Sequence, residues 1–213
     1  NNHPEKLAGW TLAHLWIIFV AIGIAVALGV VLGLYISGKG KEHIADTVLY
    51  LAEIMMTVPS LALFGLLMLF LGSVGLKSYG FLPAVIALIV YGQLPILRNT
   101  YTAIQGVEPA MIEVGRGMGM SEKQLLFKVK LPLAIPVIMA GLRNAIVLII
   151  GIAAIAAMIG AGGLGVPIFR GLRNARTDLI IVGGVSVSIL ALLVDGLMSR
   201  VERRVTPEGL KEK

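Results

Sequence analysis

Five long stretches without charge limit this sequence more than any other feature. Each runs for 20 to 26 residues, and Asp195 is the only charge inside them. A helix of about 20 residues crosses the hydrocarbon core of a bilayer, which is about 30 Å thick. The sequence therefore predicts an all-α integral membrane protein whose five transmembrane helices cover about 11–36, 46–71, 81–97, 132–159 and 178–198.

The composition excludes a soluble globular domain. Hydrophobic residues make up 57% of the 213 residues, charged residues only 14%, and the mean hydropathy is +0.92. Soluble domains carry about 25% charged residues. The chain has no cysteine and only three scattered histidines, so neither a disulfide framework nor a metal site is expected.

The distribution of Lys and Arg predicts the orientation. Segments that follow the first, third and fifth spans hold 12 of the 18 basic residues, the opposite segments hold 5, and Arg143 lies within a span. The positive-inside rule then puts the N-terminus outside and the C-terminus in the cytoplasm. The net charge of +6 fits this topology and contact with anionic lipids rather than nucleic-acid binding. Residues 1–9 lack a basic region, so no signal peptide is expected, and the sequence leaves open what precedes Asn1.

Two glycine-rich segments imitate nucleotide-binding motifs. Residues 33–40 resemble a phosphate-binding loop, but Gly40 stands where a hydroxyl must bind magnesium. Residues 160–165 match G-x-G-x-x-G, yet a long apolar helix precedes them instead of a strand. We expect the first segment to end a helix and the second to begin a short external segment at 166–172. The Gly29-x-x-x-Gly33 pattern predicts close helix packing.

Residues 98–131 form the largest predicted loop. Glu108-Pro109 is typical of a helix start, and Gly115, Gly117 and Gly119 weaken the helix that follows. Such a helix needs an external surface to hold it, and its small residues allow that surface to approach. Ser121-x-x-Gln124 predicts a capping box on a second helix, which Pro132 should end, with Pro136 turning the chain toward the fourth span. An ordinary solvated loop remains the alternative.

Within this loop, one motif carries a family resemblance. Glu113-Val114-Gly115-x-x-x-Gly119, then nine residues, then Val129-x-Leu131-Pro132 resembles the EAA motif of ABC-importer permeases. Valine and glycine replace two alanines, and Val129 replaces isoleucine. Segments 57–63, 95–101, 117–120 and 159–165 are similar to permeases of the osmoprotectant branch, which import glycine betaine, carnitine, choline and related quaternary amines.

The resemblance implies a single permease domain over 1–213 with the type I ABC-importer permease fold. The loop would form a coupling helix in a groove of a separate ATPase subunit, which binds the ATP and Mg, while this chain needs no cofactor. The other implied partners are a second permease copy, most simply as a homodimer, and an extracytoplasmic substrate-binding protein. By position, the resemblance assigns ATPase coupling to eight residues: Pro109, Glu113, Val114, Gly115, Met118, Gly119, Leu131 and Pro132.

Polar residues inside the spans are the candidates for a translocation pathway. These are Thr57, Pro59, Ser60 and Asn144, although a packing kink at Pro59 is an equal alternative. We expect Arg143 to pair with a carboxylate, either Glu53 or Asp195. His14, Trp10 and Trp16 are expected at the membrane interface.

Other functions remain as rivals. A permease for another small solute such as an amino acid, a membrane-embedded enzyme and a channel are the alternatives. The enzyme would need clustered carboxylates or histidines, which the sequence lacks. The aromatic residues are scattered along the spans, so tight capture of a quaternary amine is expected in the external binding protein. That protein could dock at 160–172, near Arg170, Arg173 and Arg176.

Overall fold

The computed structural model describes residues 4–206, and within that range the chain is helical with no strand. Four helices are long and apolar enough to cross a membrane, and a fifth crossing is a bent pair. The α-helices are α1 (Pro4–Ile36), α2 (Glu42–Thr57), α3 (Ser60–Ser73), α4 (Phe81–Gln105), α5 (Pro109–Gly117), α6 (Glu122–Leu125), α7 (Leu131–Ile155), α8 (Gly165–Arg173) and α9 (Thr177–Val205). The all-α membrane prediction is confirmed.

A sharp break divides the second predicted span. The helices α2 and α3 meet at an angle of 101°. The break lies at Val58 and Pro59, whose ψ angles of 126° and 133° are extended. Proline has no N–H for the helix and also pushes the preceding residue out of helical geometry. The predicted span over 46–71 is therefore a bent pair of helices, interrupted at Pro59.

The centre of the bundle is formed by α1, α4 and α7. Gly29 and Gly33 of α1 lie against Ile96 and Thr100 of α4, and a Cβ atom on Gly29 would be 2.6 Å from Ile96 Cγ2. The packing role expected for this glycine pair is confirmed. Because Gly33 and Thr100 are near the ends of their helices, α1 and α4 end on the same side, where α2 begins. We call this the loop side.

Two prolines fail to end the helix in which they lie. Residues Glu122–Ile159 form one continuous helical rod of 38 residues. The prediction that Pro132 and Pro136 break it is wrong. A π-helical turn at Leu126–Lys130 precedes Pro132, and the N–H of Leu131 donates to the carbonyl of Leu126. This wider turn lets neighbouring backbone groups adjust around a proline. The predicted loop 98–131 is also shorter than expected, since α4 continues to Gln105.

An ion triplet joins α7 to α9. The Arg143 guanidinium lies 3.0 Å from Asp195 and 3.0 Å from Glu202. The predicted pairing with Asp195 is confirmed, but the alternative partner Glu53 pairs instead with Arg98 of α4. Charges inside a membrane protein are stable when paired in this way.

His14 is buried rather than placed at the membrane interface. Its side chain is fully enclosed, its Nε2 lies 3.2 Å from the carbonyl of Ile150, and its Nδ1 accepts from the N–H of Leu164 at 3.4 Å. The interfacial prediction for His14 is therefore wrong, because the glycine-rich turn before α8 folds over it. Trp16 is 60% exposed.

Candidate functional site

The short helix α5 projects from the loop side between α4 and α6. Glu108 precedes it and Pro109 occupies its first turn, as the sequence predicts. The helix ends at a glycine in the left-handed region: Gly119 has a φ of +77°. The N–H of Gly119 donates to the carbonyl of Arg116, and the N–H of Met120 donates to the carbonyl of Gly115. These two bonds satisfy carbonyls at the end of the helix and form a Schellman motif.

The glycines of α5 face different surroundings. Gly115 is buried, and a Cβ atom on it would be 2.5 Å from Leu125 Cδ2. Leu125 of the same chain therefore fills the space at Gly115. The expectation that an external surface approaches Gly115 is wrong. Gly117 has no atom within 4 Å of the position of a Cβ atom. Close approach from outside is possible at Gly117.

Apolar side chains on and beside α5 are exposed. Met118 is 73% exposed, Val114 60%, Met111 49%, and Phe127 of the following segment 60%. Glu113 is also exposed and, within the described part of the chain, has no hydrogen-bond or ion-pair partner. An apolar patch next to an unpaired carboxylate is typical of an interaction surface.

Polar contacts attach α5 to the rod that begins with α6. Arg116 lies 3.0 Å from Glu122. Ser121 and Gln124 form the predicted capping box, in which each side chain accepts from the other residue's N–H. Leu131 and Pro132 are half-buried at the base of α7. The eight residues that the resemblance selects therefore lie on α5, its terminating turn and the start of α7.

Three predicted pathway residues surround the break between α2 and α3. The hydroxyl of Thr57 donates to the carbonyl of Ile54 at 2.7 Å, and Ser60 starts α3. The hydroxyl of Tyr91 on α4 donates to the carbonyl of Val58 and so fixes the break to the bundle. An extended Pro59 between two half-helices exposes backbone groups inside a membrane, which requires protein or water around it.

Asn144, the fourth predicted pathway residue, lies elsewhere. It is exposed and lines a cavity of 470 Å³ between α7 and α9. Asp195 lines the same cavity, but Thr57, Pro59 and Ser60 do not. The structure therefore does not bring the four predicted residues to one place.

A second cavity, missed by the sequence analysis, opens between α2 and α4. Its volume is 540 Å³, and it is lined by Asp46, Thr47, Leu49, Tyr50, Glu53 and Arg98. The recurrence of polar residues at 46, 50, 53 and 57 is a helical period within a predicted span. That spacing was the signal available in the sequence.

The segment after the rod turns back at glycines, as predicted. Gly160, Gly162 and Gly163 all have φ angles of +80° to +82°. The short helix α8, Gly165–Arg173, follows and occupies the position of the predicted segment 166–172. Its Arg170 lies over the ring of Trp10, 5.6 Å from the centroid.

Arg176, just beyond α8, is already paired. Its Nε donates to Asp178 at 3.1 Å, and this contact raises the pKa of Arg176 above its ordinary value. The arginines of this segment are thus not equally available to an external partner.

Comparison with known proteins gives consistent matches over almost the whole chain. A family model described as "Binding-protein-dependent transport system inner membrane component" matches residues 25–207. The osmoprotectant import permease protein OsmW of Salmonella typhimurium is 42% identical over 99% of this chain and 96% of its own length. The carnitine transport permease protein OpuCB of Listeria monocytogenes is 42% identical over 100% of this chain and 93% of its own.

Solved structures agree on the fold. The MetNI methionine ABC transporter in an inward-facing conformation contains a chain with a TM-score of 0.83 and 25% identity, covering 95% of this chain and 97% of that one. An amino acid ABC transporter contains a chain with a TM-score of 0.79 and 22% identity, which covers 94% of each chain.

Proposed function

This chain belongs to the family of binding-protein-dependent transport system inner membrane components, and on that premise we propose that it imports a quaternary-amine osmoprotectant. The chain is a transport subunit without catalytic activity, as its relatives are permeases. Relatives named for osmoprotectant, carnitine and choline transport, at 41–42% identity, support glycine betaine, choline, carnitine or a similar solute. An amino acid is the second candidate, because a chain of a methionine ABC transporter is similar at 25% identity.

The observation that carries the mechanism is the exposed apolar face of α5. Met111, Val114 and Met118 are exposed on the loop side, outside the membrane-spanning helices, and Glu113 next to them is unpaired in residues 4–206. We propose that α5 is the coupling helix and that this face seats in an ATPase subunit. The residues in contact or in support would be Pro109, Glu113, Val114, Gly115, Met118, Gly119, Leu131 and Pro132.

The remaining parts of the assembly follow the same proposal. Two copies of this chain, each one permease domain, would enclose the pathway, and the ATPase subunits would hold ATP and Mg. The loop side would then be cytoplasmic, with the N-terminus outside and the C-terminus inside, in agreement with the excess of Lys and Arg there. An extracytoplasmic binding protein would dock on α8 and the glycine turn, at 160–172.

Substitution of Gly119 tests the coupling assignment. Gly119→Asp adds bulk and negative charge beside Met118, at a position with no atom within 4 Å of an added Cβ. We expect uptake to be lost while membrane insertion is unchanged. The measurement is ATP-dependent uptake of labelled glycine betaine, choline, carnitine and proline by the reconstituted transporter, together with the amount of protein in the membrane.

Gly75 offers a matched control on the opposite side of the molecule. Its φ of +73° is close to that of Gly119, and it too has no atom within 4 Å of an added Cβ. Gly75→Asp should therefore introduce the same backbone strain and retain uptake. Normal uptake by Gly119→Asp, or equal loss in both variants, would contradict coupling through α5.

A further inference from the structure

One face of α2 carries polar side chains into the cavity between α2 and α4. Asp46, Tyr50 and Glu53 follow at spacings of four and three residues, so they lie on the same side of the helix. Tyr50 is 63% exposed. Ionisable residues in a spanning helix face water, protein or a solute pathway, because contact with lipid tails is costly. This face therefore borders an aqueous or protein-lined space.

A cation from the neighbouring helix completes the cavity. Arg98 of α4 reaches Glu53 and pairs with it, and both side chains remain partly open, at 53% and 41% exposure. Asp46 has no ion-pair partner within residues 4–206. The cavity thus combines one aromatic face, two carboxylates and one guanidinium, with an excess of one negative charge.

The end of α2 adds to this negative potential. Thr57, one turn beyond Glu53, is the last residue of α2, and the chain is extended at Val58 and Pro59. The C-terminal end of a helix carries a partial negative charge. Carbonyl ends of interrupted helices hold cations in other transporters. This is an observation on the backbone, independent of the side chains in the cavity.

The geometry points to a transit site for trimethylammonium solutes, with or without a carboxylate, an inference that rests on the proposed function. A trimethylammonium group has no N–H to donate, so it is held by an aromatic face and by carboxylates, which Tyr50, Asp46 and Glu53 supply. Arg98 binds the solute's carboxylate in place of Glu53, since a guanidinium takes a carboxylate in two parallel hydrogen bonds. An exposed ion pair contributes little stability, so the exchange of Glu53 for the solute's carboxylate costs little free energy.

Substitutions of Tyr50 test the aromatic contact in the complete transporter. Uptake of labelled glycine betaine and choline is measured in proteoliposomes that contain the permease, its ATPase and its binding protein. Tyr50→Leu should lower kcat/KM for both solutes by about fivefold, because a cation–π contact at an exposed ring is lost. Tyr50→Phe keeps the ring and should stay within about twofold of the wild type. Tyr79→Leu is the matched control, since Tyr79 is 62% exposed but does not line the cavity.

Substitution of Arg98 tests the second contact. Glycine betaine carries a carboxylate and choline does not, so Arg98→Gln should lower uptake of glycine betaine relative to choline by about tenfold. A purely structural ion pair would lower uptake of both solutes equally, and that result would overturn the role of Arg98. If the wild type takes only one of the two solutes, the Tyr50 series decides alone.

The outcomes separate this inference from the proposed function. A wild-type transporter that imports neither solute overturns both. Normal import combined with a Tyr50→Leu variant that equals the wild type, or with a Tyr50→Phe variant that is equally impaired, overturns the transit site alone. The amount of assembled complex is measured for each variant. If Tyr50→Leu assembles poorly, Asp46→Asn replaces it, with an expected fall of about threefold in uptake of both solutes.

Discussion

Three glycines of the bundle and two glycines of the α5 segment are used in opposite ways. Gly29, Gly92 and Gly141 lie in spanning helices, and atoms of a neighbouring helix stand within 3 Å of where a Cβ atom would be. Gly117 and Gly119 have no atom within 4 Å of that position. A neighbouring helix fills the space at the three bundle positions, whereas the space at Gly117 and Gly119 is open. Open space on an exposed, apolar helix outside the membrane-spanning helices supports the proposal that another protein binds there.

The largest effect should come from closing the space in the bundle. Gly141→Ala would place a methyl group 2.4 Å from Asn99 Cβ and 2.8 Å from the carbonyl oxygen of Pro95. Because backbone atoms cannot move aside cheaply, we expect a loss of about 1–3 kcal/mol in the free energy of unfolding. The measurement is reversible unfolding in detergent. Gly151, in the same helix with no atom within 4 Å, is the control, and Gly151→Ala should be neutral or slightly stabilising. Equal effects in both variants would refute the packing explanation.

A smaller effect of opposite sign is expected in α5. Gly117→Ala adds a methyl group into open space and raises the helix propensity by about 1 kcal/mol. Hydrogen exchange of the amides of α5 should slow by about fivefold. Gly115→Ala gains the same propensity, but its methyl group would lie 2.5 Å from Leu125 Cδ2, so protection should not increase. If both variants slow exchange alike, Gly115 is not needed for the contact with Leu125.

The smallest effect concerns the turn between α5 and the rod. Ser121→Ala removes the side chain that accepts from the N–H of Gln124 at 3.3 Å, an exposed cap worth about 0.5 kcal/mol. Exchange of the amides in α6 should become about twofold faster, while the bundle amides remain unchanged. Ser121→Asn keeps an acceptor at the same position and should restore protection. A change that extended into α7 would show that the cap stabilises the rod as a whole.

Local chemistry in the sequence predicted much of the loop. Pro109, Gly119 and the Ser121–Gln124 pair each perform the backbone role that their residue type favours. The spans were predicted because uncharged length alone decides whether a helix can cross a bilayer. The Arg143–Asp195 pair followed from the need to neutralise a charge within the membrane.

The failures share a physical cause, since each depended on backbone geometry or contacts that residue type and spacing do not predict. Pro59 breaks its helix and Pro132 does not, although both are prolines in apolar surroundings. The π-helical turn before Pro132 and the bond from Tyr91 to Val58 determine the two outcomes, and periodicity shows neither. Residue type and position predict His14 at the interface, because no local signal indicates the glycine turn, 150 residues later, that covers it.

The rod from Glu122 to Ile159 has a mechanical consequence. Thirty-eight residues of continuous helix measure roughly 57 Å, which exceeds the thickness of the hydrocarbon core. Its base is attached to α5 through Arg116 and Glu122, and its tip leads into the turn that covers His14. A continuous helix tilts as one body. A tilt at one end therefore displaces the other end, and no chain of side-chain rearrangements is needed between them. If α5 couples to an ATPase as proposed, a displacement of α5 would therefore move the turn over His14 at the same time.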